Sequence, residues 1–364
     1  MPVQPLPGIL DIVPYKGGEA GVPGIAKPWK LSSNENPLGC SPAATQAFLA
    51  AAQDLAIYPD GAHAALRTAI ATRYGLDADR IVCGSGSDEI FQMLGRAFLA
   101  RGDDVVQSQY GFLVYSLTAQ QAGATCTSAP ETGFRTDVDA ILASVGPRTR
   151  IVFVANPNNP TGTYIPFEEV RRLHAGLPDD VLLVLDAAYA EYVRANDYSS
   201  GLELVAESQN VLMTRTFSKI HGLAALRVGW AYGPQVVIDA LNRVRGPFNV
   251  TGPALAAAVA AIEDTAFAEQ SAAFNARELA ALSGAVSALG LDVVPSVGNF
   301  ILVGFPDVDG RRAADADRFL RSRGVIVRAV GAYGLPGHLR ISVGTEAANR
   351  DCLSALTAFM AGPA

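Results

Sequence analysis

Short apolar segments alternate with helix-like patterns from about residue 80 to residue 232, and no other feature of the chain constrains its fold as much. The segments 151–154, 181–185 and 211–213 are near-continuous apolar runs rich in β-branched residues. Such runs are typical of strands buried on both faces, as in a parallel or mixed sheet covered by helices. Between two strands, residues 90–98 have the apolar spacing of an amphipathic helix. The sequence therefore predicts an α/β fold with a mostly parallel central sheet flanked by helices.

The pattern changes near residue 252. Alanine-rich helical sequence opens at Pro253 and runs towards residue 284. Beyond it, the patterns indicate three more strands and a helix, at 299–303, 325–328, 339–343 and around 313–321. This mixture predicts a smaller α+β domain. We expect a large domain over residues 51–252, and a small domain that combines residues 1–50, including an N-terminal arm, with residues 253–364.

Composition excludes several classes of protein. Hydrophobic residues make up 49% of the 364, enough for a large core, yet no apolar stretch approaches the ~20 residues that a membrane span needs. The formal net charge of −7 argues against a nucleic-acid partner. The four cysteines and four histidines are scattered, so no metal site is expected. With no signal-peptide pattern at the start, reduced thiols and a cytoplasmic location are predicted.

The run from Thr216 to Trp230 contains the strongest chemical signal. It places Lys219 beside Ser218 at the end of a predicted strand, with Arg227 eight positions further on. A lysine that forms a Schiff base must be partly desolvated and able to lose its proton. A hydroxyl and a guanidinium nearby suit an anionic group. Taken alone, the same run also fits a solvated surface lysine.

Polar residues follow three other predicted strands. Asn156-Pro-Asn-Asn-Pro-Thr-Gly162 comes after the strand at 151–154, and Asp186 follows another strand, with Tyr189 three positions later. Gly84-Ser-Gly-Ser-Asp-Glu89 joins a strand to a helix, so unpaired N–H groups at the start of the helix can face an anion. Ligands of open α/β folds bind at the carboxyl ends of strands, so these segments predict one site.

A strand near the C-terminus alternates apolar and polar residues. Leu339, Ile341 and Val343 fall on one face, and Arg340 and Ser342 on the other. An arginine that faces a cleft suits bidentate capture of a carboxylate or a phosphate.

In this order, the segments resemble those of the histidinol-phosphate aminotransferase family, class-II pyridoxal-phosphate (PLP) aminotransferases of fold type I. The resemblance extends from Ile12-Val-Pro-Tyr15 through Ser32-Ser-Asn-Glu-Asn-Pro-Leu-Gly39 to Leu339-Arg-Ile-Ser-Val-Gly-Thr345, nearly the whole chain. It implies a PLP-dependent homodimer that converts L-histidinol phosphate and 2-oxoglutarate to imidazole-acetol phosphate and L-glutamate in histidine biosynthesis.

The resemblance also assigns roles to individual residues. Lys219 is the catalytic residue, and Asp186 keeps the ring nitrogen of the cofactor protonated. Tyr110 stacks on the ring, and the partner subunit's Tyr58 reaches the phosphate. The full set of implied cofactor contacts is Ser87, Asp88, Tyr110, Asn159, Asp186, Tyr189, Ser218, Lys219, Arg227 and the partner subunit's Tyr58. The implied substrate contacts are Tyr15, Asn159, Asn299, Arg328 and Arg340.

Three other functions are compatible with the same resemblance. An aromatic amino-acid aminotransferase keeps the reaction and changes the substrate. A PLP lyase of the same fold, such as a threonine-phosphate decarboxylase, changes the reaction. A PLP-binding transcription regulator requires an added DNA-binding domain, and residues 1–31 are too short and too poor in basic residues to supply one.

Overall fold

The computed structural model describes residues 3–15, 17–19 and 21–362. The strands are β1 (Trp29–Lys30), β2 (Ile81–Gly84), β3 (Asp104–Ser108), β4 (Thr125–Ala129), β5 (Glu131–Thr132), β6 (Arg135–Thr136), β7 (Thr149–Ala155), β8 (Leu182–Asp186), β9 (Val211–Thr216), β10 (Gly229–Tyr232), β11 (Asp292–Val294), β12 (Phe300–Gly304), β13 (Val325–Ile326), β14 (Arg328–Ala329) and β15 (His338–Ser342).

The α-helices are α1 (Pro42–Ala51), α2 (Ala64–Tyr74), α3 (Ser87–Phe98), α4 (Leu113–Ala122), α5 (Val138–Ser144), α6 (Phe167–Gly176), α7 (Leu202–Glu207), α8 (Gln235–Val244), α9 (Gly252–Glu263), α10 (Thr265–Ala288), α11 (Ala313–Ser322) and α12 (Glu346–Ala361). Among the described residues, no helix combines the length and the apolar character that crossing a membrane requires.

Seven strands form the larger sheet in the order β2-β10-β9-β8-β7-β3-β4, in which only β10 runs antiparallel to its neighbours. Successive side chains of a strand point to opposite faces. On β7, Val152 and Val154 enter one apolar core, whereas Ile151 and Phe153 enter another. The sheet is buried on both faces, so the predicted mostly parallel α/β fold is confirmed.

The smaller sheet is antiparallel, in the order β11-β12-β15-β14. Helices α10, α11 and α12 cover one face of it, and Leu339 and Ile341 of β15 lie in that core. Arg340, between them, lines a cavity instead. The predicted alternation along this strand and the predicted α+β region are therefore confirmed.

The alanine-rich sequence after Pro253 forms two helices rather than one. Helix α9 ends at Glu263, and Asp264 separates it from α10. The Asp264 carboxylate accepts a hydrogen bond from the backbone N–H of Phe267 at 3.0 Å and so caps the second helix. A short polar residue inside a helical pattern acts here as a start signal.

Helices α1 and α9 pack against each other on the larger sheet. Ala44 of α1 and Ala257 of α9 belong to the same apolar core as Leu183 of β8. The predicted boundaries at residues 51–252 place both helices in the small domain, so the packing differs from that prediction at this point. An apolar pattern identifies a helix but does not specify the sheet that it covers. The division into domains remains a prediction.

Candidate active site

A cavity of about 270 Å³ opens at the edge of the larger sheet where β2, β7, β8 and β9 end. Residues from β14, β15 and the N-terminal segment complete its wall. The predicted site residues that line the cavity are Tyr15, Ser87, Asp88, Asn159, Asp186, Tyr189, Ser218, Lys219, Arg227, Arg328 and Arg340. Tyr58, Tyr110 and Asn299 are not part of this wall.

Lys219 lies in the turn that follows β9, and its amine points into the cavity. The Nζ atom donates to the backbone oxygen of Ser33 at 3.2 Å and lies 5.7 Å from the centre of the Tyr189 ring. Burial, together with the positive charge of Arg340, lowers the pKa of Lys219 to about 8. The amine can therefore lose its proton close to neutral pH, as a nucleophile or a base requires.

Asp186 is the last residue of β8 and is 6% exposed. Its Oδ2 accepts a hydrogen bond from the Tyr115 hydroxyl at 2.6 Å. Its Oδ1 accepts from the Ala188 N–H at 3.2 Å and from the Thr214 hydroxyl at 3.4 Å. Burial raises the pKa of Asp186 to about 6, and these hydrogen bonds oppose the rise. The carboxylate is available to pair with a buried cationic nitrogen.

Tyr189 is held by a residue from the N-terminal segment. Its hydroxyl oxygen accepts from the Asn34 side-chain amide at 2.9 Å, so its own proton remains available for donation. Asn34 is fixed in turn, because its backbone oxygen accepts from the Asn299 amide at 2.9 Å and its Oδ1 accepts from the Ser342 hydroxyl at 2.9 Å. Asn299 thus lies behind the wall and supports Asn34.

The turn between β2 and α3 forms a cradle for an anion. Gly86 caps the first turn of α3 without any side-chain acceptor, so the N–H groups there are unpaired by side chains. Arg227 donates to the Ser218 hydroxyl at 3.1 Å and to the Asp88 carboxylate at 3.1 Å, which holds its guanidinium beside this turn. Gly86 has a φ of 80°, in the left-handed region that favours glycine, and a Cβ atom there would displace the Arg227 guanidinium from the cradle.

Arg340 and Arg328 are directly opposite each other in the antiparallel pair β14–β15. Arg340 is 6% exposed and donates to the Asn159 side-chain oxygen and to the backbone oxygen of Ser32 at 2.8 Å. Its Nε has no hydrogen-bond partner among the described residues. Two guanidinium groups on opposite strands concentrate positive charge at this end of the cavity, which suits a phosphate or a carboxylate.

Over the whole wall of the cavity, cationic side chains outnumber carboxylates. The cationic side chains are Lys30, Lys219, Arg227, Arg328 and Arg340, and the carboxylates are Glu35, Asp88 and Asp186. This excess of positive charge on the wall of an acidic protein favours anionic ligands. The described residues contain no cluster of His, Cys, Asp or Glu that can hold a metal ion.

The wall contains Phe112 where the sequence predicts Tyr110. The chain turns at Gly111, whose N–H donates to the backbone oxygen of Ser108 at 2.9 Å, so the two aromatic residues point to different sides. The Tyr110 ring packs against Phe134, with ring centres 5.8 Å apart. Phe112, and not the predicted Tyr110, therefore faces the cavity, and the stacking role of either ring remains a prediction.

Tyr58 lies outside the cavity and is 79% exposed. Its ring stacks on Phe248 at 4.7 Å between ring centres. Leu55 and Ile57 are also exposed, and these four residues border one surface depression. We call Leu55, Ile57, Tyr58 and Phe248 the aromatic patch.

Four residues of the site or its support are not among those predicted from the sequence: Asn34, Phe112, Tyr115 and Tyr333. Asn34 had a signal, because it lies in the polar run 32–36 that precedes a proline. Phe112 and Tyr115 are spaced like neighbours on a helix that starts at a strand end. Tyr333 lines the cavity but has no local pattern around it that marks a site.

Comparisons with known proteins agree with this geometry. The profile of the family described as aminotransferase class I and II matches residues 26–356. A histidinol-phosphate aminotransferase from Maricaulis maris (strain MCS10) is 58% identical over 360 residues, which is 99% of this chain and 99% of that protein. A histidinol-phosphate aminotransferase from Rhodopseudomonas palustris (strain HaA2) is 54% identical with the same coverage.

A solved structure has the same overall fold. The histidinol-phosphate aminotransferase from Sinorhizobium meliloti, crystallised in complex with pyridoxal-5'-phosphate, superposes with a TM-score of 0.89 and 28% sequence identity. The match covers 99% of this chain and 98% of that one.

Proposed function

The chain belongs to the histidinol-phosphate aminotransferase family of class I and II aminotransferases, and we propose that it uses PLP to transfer the amino group of L-histidinol phosphate to 2-oxoglutarate. The products are imidazole-acetol phosphate and L-glutamate, in the biosynthesis of histidine. One observation carries this proposal: a lysine of lowered pKa, a buried carboxylate and two anion-binding ends surround a single cavity.

The residues present fit PLP. The cradle at the start of α3, with Ser218 and Arg227, accepts its phosphate. Asp186 lies deep enough to pair with the ring nitrogen, and Phe112 faces the cavity where an aromatic ring can stack. When bound, PLP supplies a ring that takes up the electron pair left when a Cα–H bond breaks.

Lys219 has two tasks in this reaction. It would hold the cofactor covalently between turnovers. Once the amino group of the substrate has displaced it, the freed amine would take the proton from Cα of the substrate and return it to the cofactor. Its pKa of about 8 leaves a substantial neutral fraction near pH 7.5, so the amine can accept that proton. The hydrogen bond to Ser33 limits where the amine can move.

Asp186 and Tyr189 control the protonation and the hydrogen bonding of the cofactor ring. The Asp186 carboxylate keeps the ring nitrogen protonated, because a buried negative charge stabilises a buried positive one. Tyr189 and the Asn159 amide donate to the phenolic oxygen. The hydrogen bond from Asn34 occupies the Tyr189 oxygen and directs its proton towards the cavity.

Arg340 and Arg328 bind the anionic end of each substrate. L-Histidinol phosphate presents a phosphate, and 2-oxoglutarate presents a carboxylate. Both anions suit the paired guanidinium groups on β14 and β15. Tyr15, which is 49% exposed on the N-terminal arm, closes the same end of the cavity.

We also propose that the protein is a homodimer in which the aromatic patch faces the neighbouring active site. Four exposed large apolar side chains border one depression, an arrangement that favours burial by a partner. A two-fold axis makes such a contact reciprocal, so the partner subunit's Tyr58 reaches the phosphate in each site.

A cytoplasmic location is part of the proposal. The four cysteines are unpaired, as expected for a reducing compartment.

The proposed substrate is tested by comparing kcat/KM for L-histidinol phosphate, L-phenylalanine and L-threonine phosphate, with glutamate formation coupled to a dehydrogenase. We expect histidinol phosphate to be preferred by at least about tenfold. A preference for phenylalanine would reassign the protein to aromatic aminotransferases. Release of CO₂ from threonine phosphate without glutamate formation would reassign it to the lyases.

A further inference from the structure

Tyr115 is a buried titratable residue that the proposed reaction does not use. It lies on α4, fully inaccessible to solvent, and its hydroxyl donates to Oδ2 of Asp186 at 2.6 Å. This is the shortest of the three hydrogen bonds to that carboxylate, and the other two reach Oδ1. Hydrogen bonds to an ionised group are about twice as strong as neutral ones, so Tyr115 is its main support.

The Tyr115 ring cannot turn away from this position. It stacks on Phe153 with 4.6 Å between ring centres and an angle of 3°. Phe91 packs against it edge-on at 5.1 Å, and Phe112 does so at 5.8 Å. Phe112 faces the cavity. The Tyr115 ring therefore has two contacts that matter for the site: its hydroxyl reaches Asp186, and its ring packs against the aromatic residue of the cavity wall.

We propose that Tyr115 is a positioning residue of the aminotransferase site: its hydroxyl holds the Asp186 carboxylate in the orientation and the charge state that pair with the ring nitrogen of PLP. The inference rests on the proposed function.

The charge state of Asp186 depends on several neighbours. Burial raises its pKa to about 6, and the negative charge of Asp88 on α3 adds to this rise. The hydrogen bond from Tyr115 acts in the opposite direction. The titratable groups that interact with Asp186 are Asp88 of α3, Tyr115 of α4, Tyr189 after β8 and Tyr198 before α7. Of these four groups, Tyr115 is the one that donates a hydrogen bond to the Asp186 carboxylate.

Removal of the Tyr115 hydroxyl therefore moves the pKa of Asp186 further upward. PLP binds through a carboxylate that is ionised, so its affinity falls as the pH drops through this pKa. In Tyr115→Phe, the fall begins at a higher pH than in the wild type. We expect the pH at the midpoint of this fall in PLP affinity to rise by roughly one unit.

The experiment measures the dissociation constant of PLP for the apoprotein between pH 5 and pH 8, by absorbance titration. Tyr115→Phe should show the shifted midpoint. Thr214→Val, which removes the longer hydrogen bond of 3.4 Å, should shift it in the same direction by less. Tyr164→Phe is the matched control, since Tyr164 donates to the Asp197 carboxylate at 2.8 Å on the surface. Its midpoint should equal that of the wild type.

Two further measurements separate positioning from a general loss of structure. In an Asp186→Ala background, Tyr115→Phe should leave PLP affinity unchanged at every pH, because the acceptor through which Tyr115 acts is absent. In the otherwise wild-type enzyme, Tyr115→Phe should lower kcat and leave KM for histidinol phosphate within about twofold, since the substrate arginines are untouched.

The outcomes are distinguishable. If the wild-type protein does not bind PLP, the proposed function fails. If it binds PLP and the profile of Tyr115→Phe superimposes on that of the wild type, only the role of Tyr115 is overturned. If near-UV circular dichroism shows that Tyr115→Phe does not fold, 3-fluorotyrosine at position 115, which keeps the ring and makes the hydroxyl a stronger donor, decides the question. The midpoint should then move to lower pH, and an unshifted midpoint overturns the inference.

Discussion

The cavity around Lys219 and the aromatic patch around Tyr58 differ in how much of their surroundings one chain supplies. Lys219, Asp186 and Arg340 are largely buried, and each has hydrogen-bond partners from the same chain. Tyr58 is 79% exposed and touches Phe248, which is itself 44% exposed. The sequence predicts that both regions contribute to one active site.

The physical reason for the difference is the cost of burial. A buried charge must find its partners within the fold, because an unpaired one costs several kcal/mol. An exposed aromatic ring has no such requirement, and a second chain can cover it later. Substitutions in the cavity should therefore have large effects within their own subunit, and substitutions in the patch smaller effects on the neighbouring subunit.

The largest effect is expected for Lys219→Ala. Loss of the base alone should lower kcat by about 10²- to 10⁴-fold, while PLP still binds non-covalently. Lys27→Ala, at an exposed lysine outside the cavity, is the control and should retain full activity. Borohydride reduction of the wild type followed by peptide mapping should place the cofactor on Lys219. An adduct on another lysine would refute the assignment.

Lys219→Met should stabilise the apoprotein at neutral pH. The folded-state pKa is lowered from 10.5 to about 8, so the stability that Lys219 contributes is complete above pH 10.5 and is lost as the pH falls through 8. The buried ammonium then costs about 3 kcal/mol at pH 7. Urea unfolding of both apoproteins should show the variant more stable at pH 7 and the difference shrinking towards pH 10. Equal stability at pH 7 would mean that water reaches the amine.

Arg340→Ala should impair both half-reactions. Removing a hydrogen bond to a charged group costs about 1.5–3 kcal/mol, so kcat/KM should fall roughly tenfold to more than a hundredfold. The decrease should appear with histidinol phosphate and with glutamate as amino donor. Arg96→Ala, at an exposed arginine of α3, provides the comparison. A change confined to one donor would show that Arg340 contacts only that substrate.

Tyr58→Ala should have the smallest effect, a loss of PLP affinity of roughly tenfold or less. Its location is tested by mixing this variant with Lys219→Ala under conditions that exchange subunits, at a PLP concentration that leaves Tyr58→Ala largely unloaded. If Tyr58 acts on the neighbouring site, each heterodimer has one site with both lesions and one with neither. Random exchange then restores about a quarter of the intact sites. No recovery, or a fully active monomer, would place Tyr58 in its own subunit.

Sequence patterns were sufficient for the residues at strand ends. Asp186, Lys219 and Asn159 each follow a buried apolar run, and parallel strands bring their carboxyl ends to one edge. Arg340 was found through period-two alternation on β15. These signals are local, so they can be recognised in the sequence without knowledge of the fold.

Other features depended on packing between distant segments. The sequence did not show that Tyr115 supports Asp186, 71 residues away, or that Arg328 lies directly opposite Arg340. It could not separate Phe112 from Tyr110, because the direction of each ring depends on the turn at Gly111.

The sequence by itself determined the alternation of buried strands and helices, the chemistry at the strand ends and the family. Each depends on residue types and their spacing over a few neighbouring positions. Only the tertiary structure decided which hydroxyl meets which carboxylate, which helices cover which sheet and which aromatic faces the cavity. Those contacts depend on how separate elements pack, and many sequences with the same local pattern allow different neighbours.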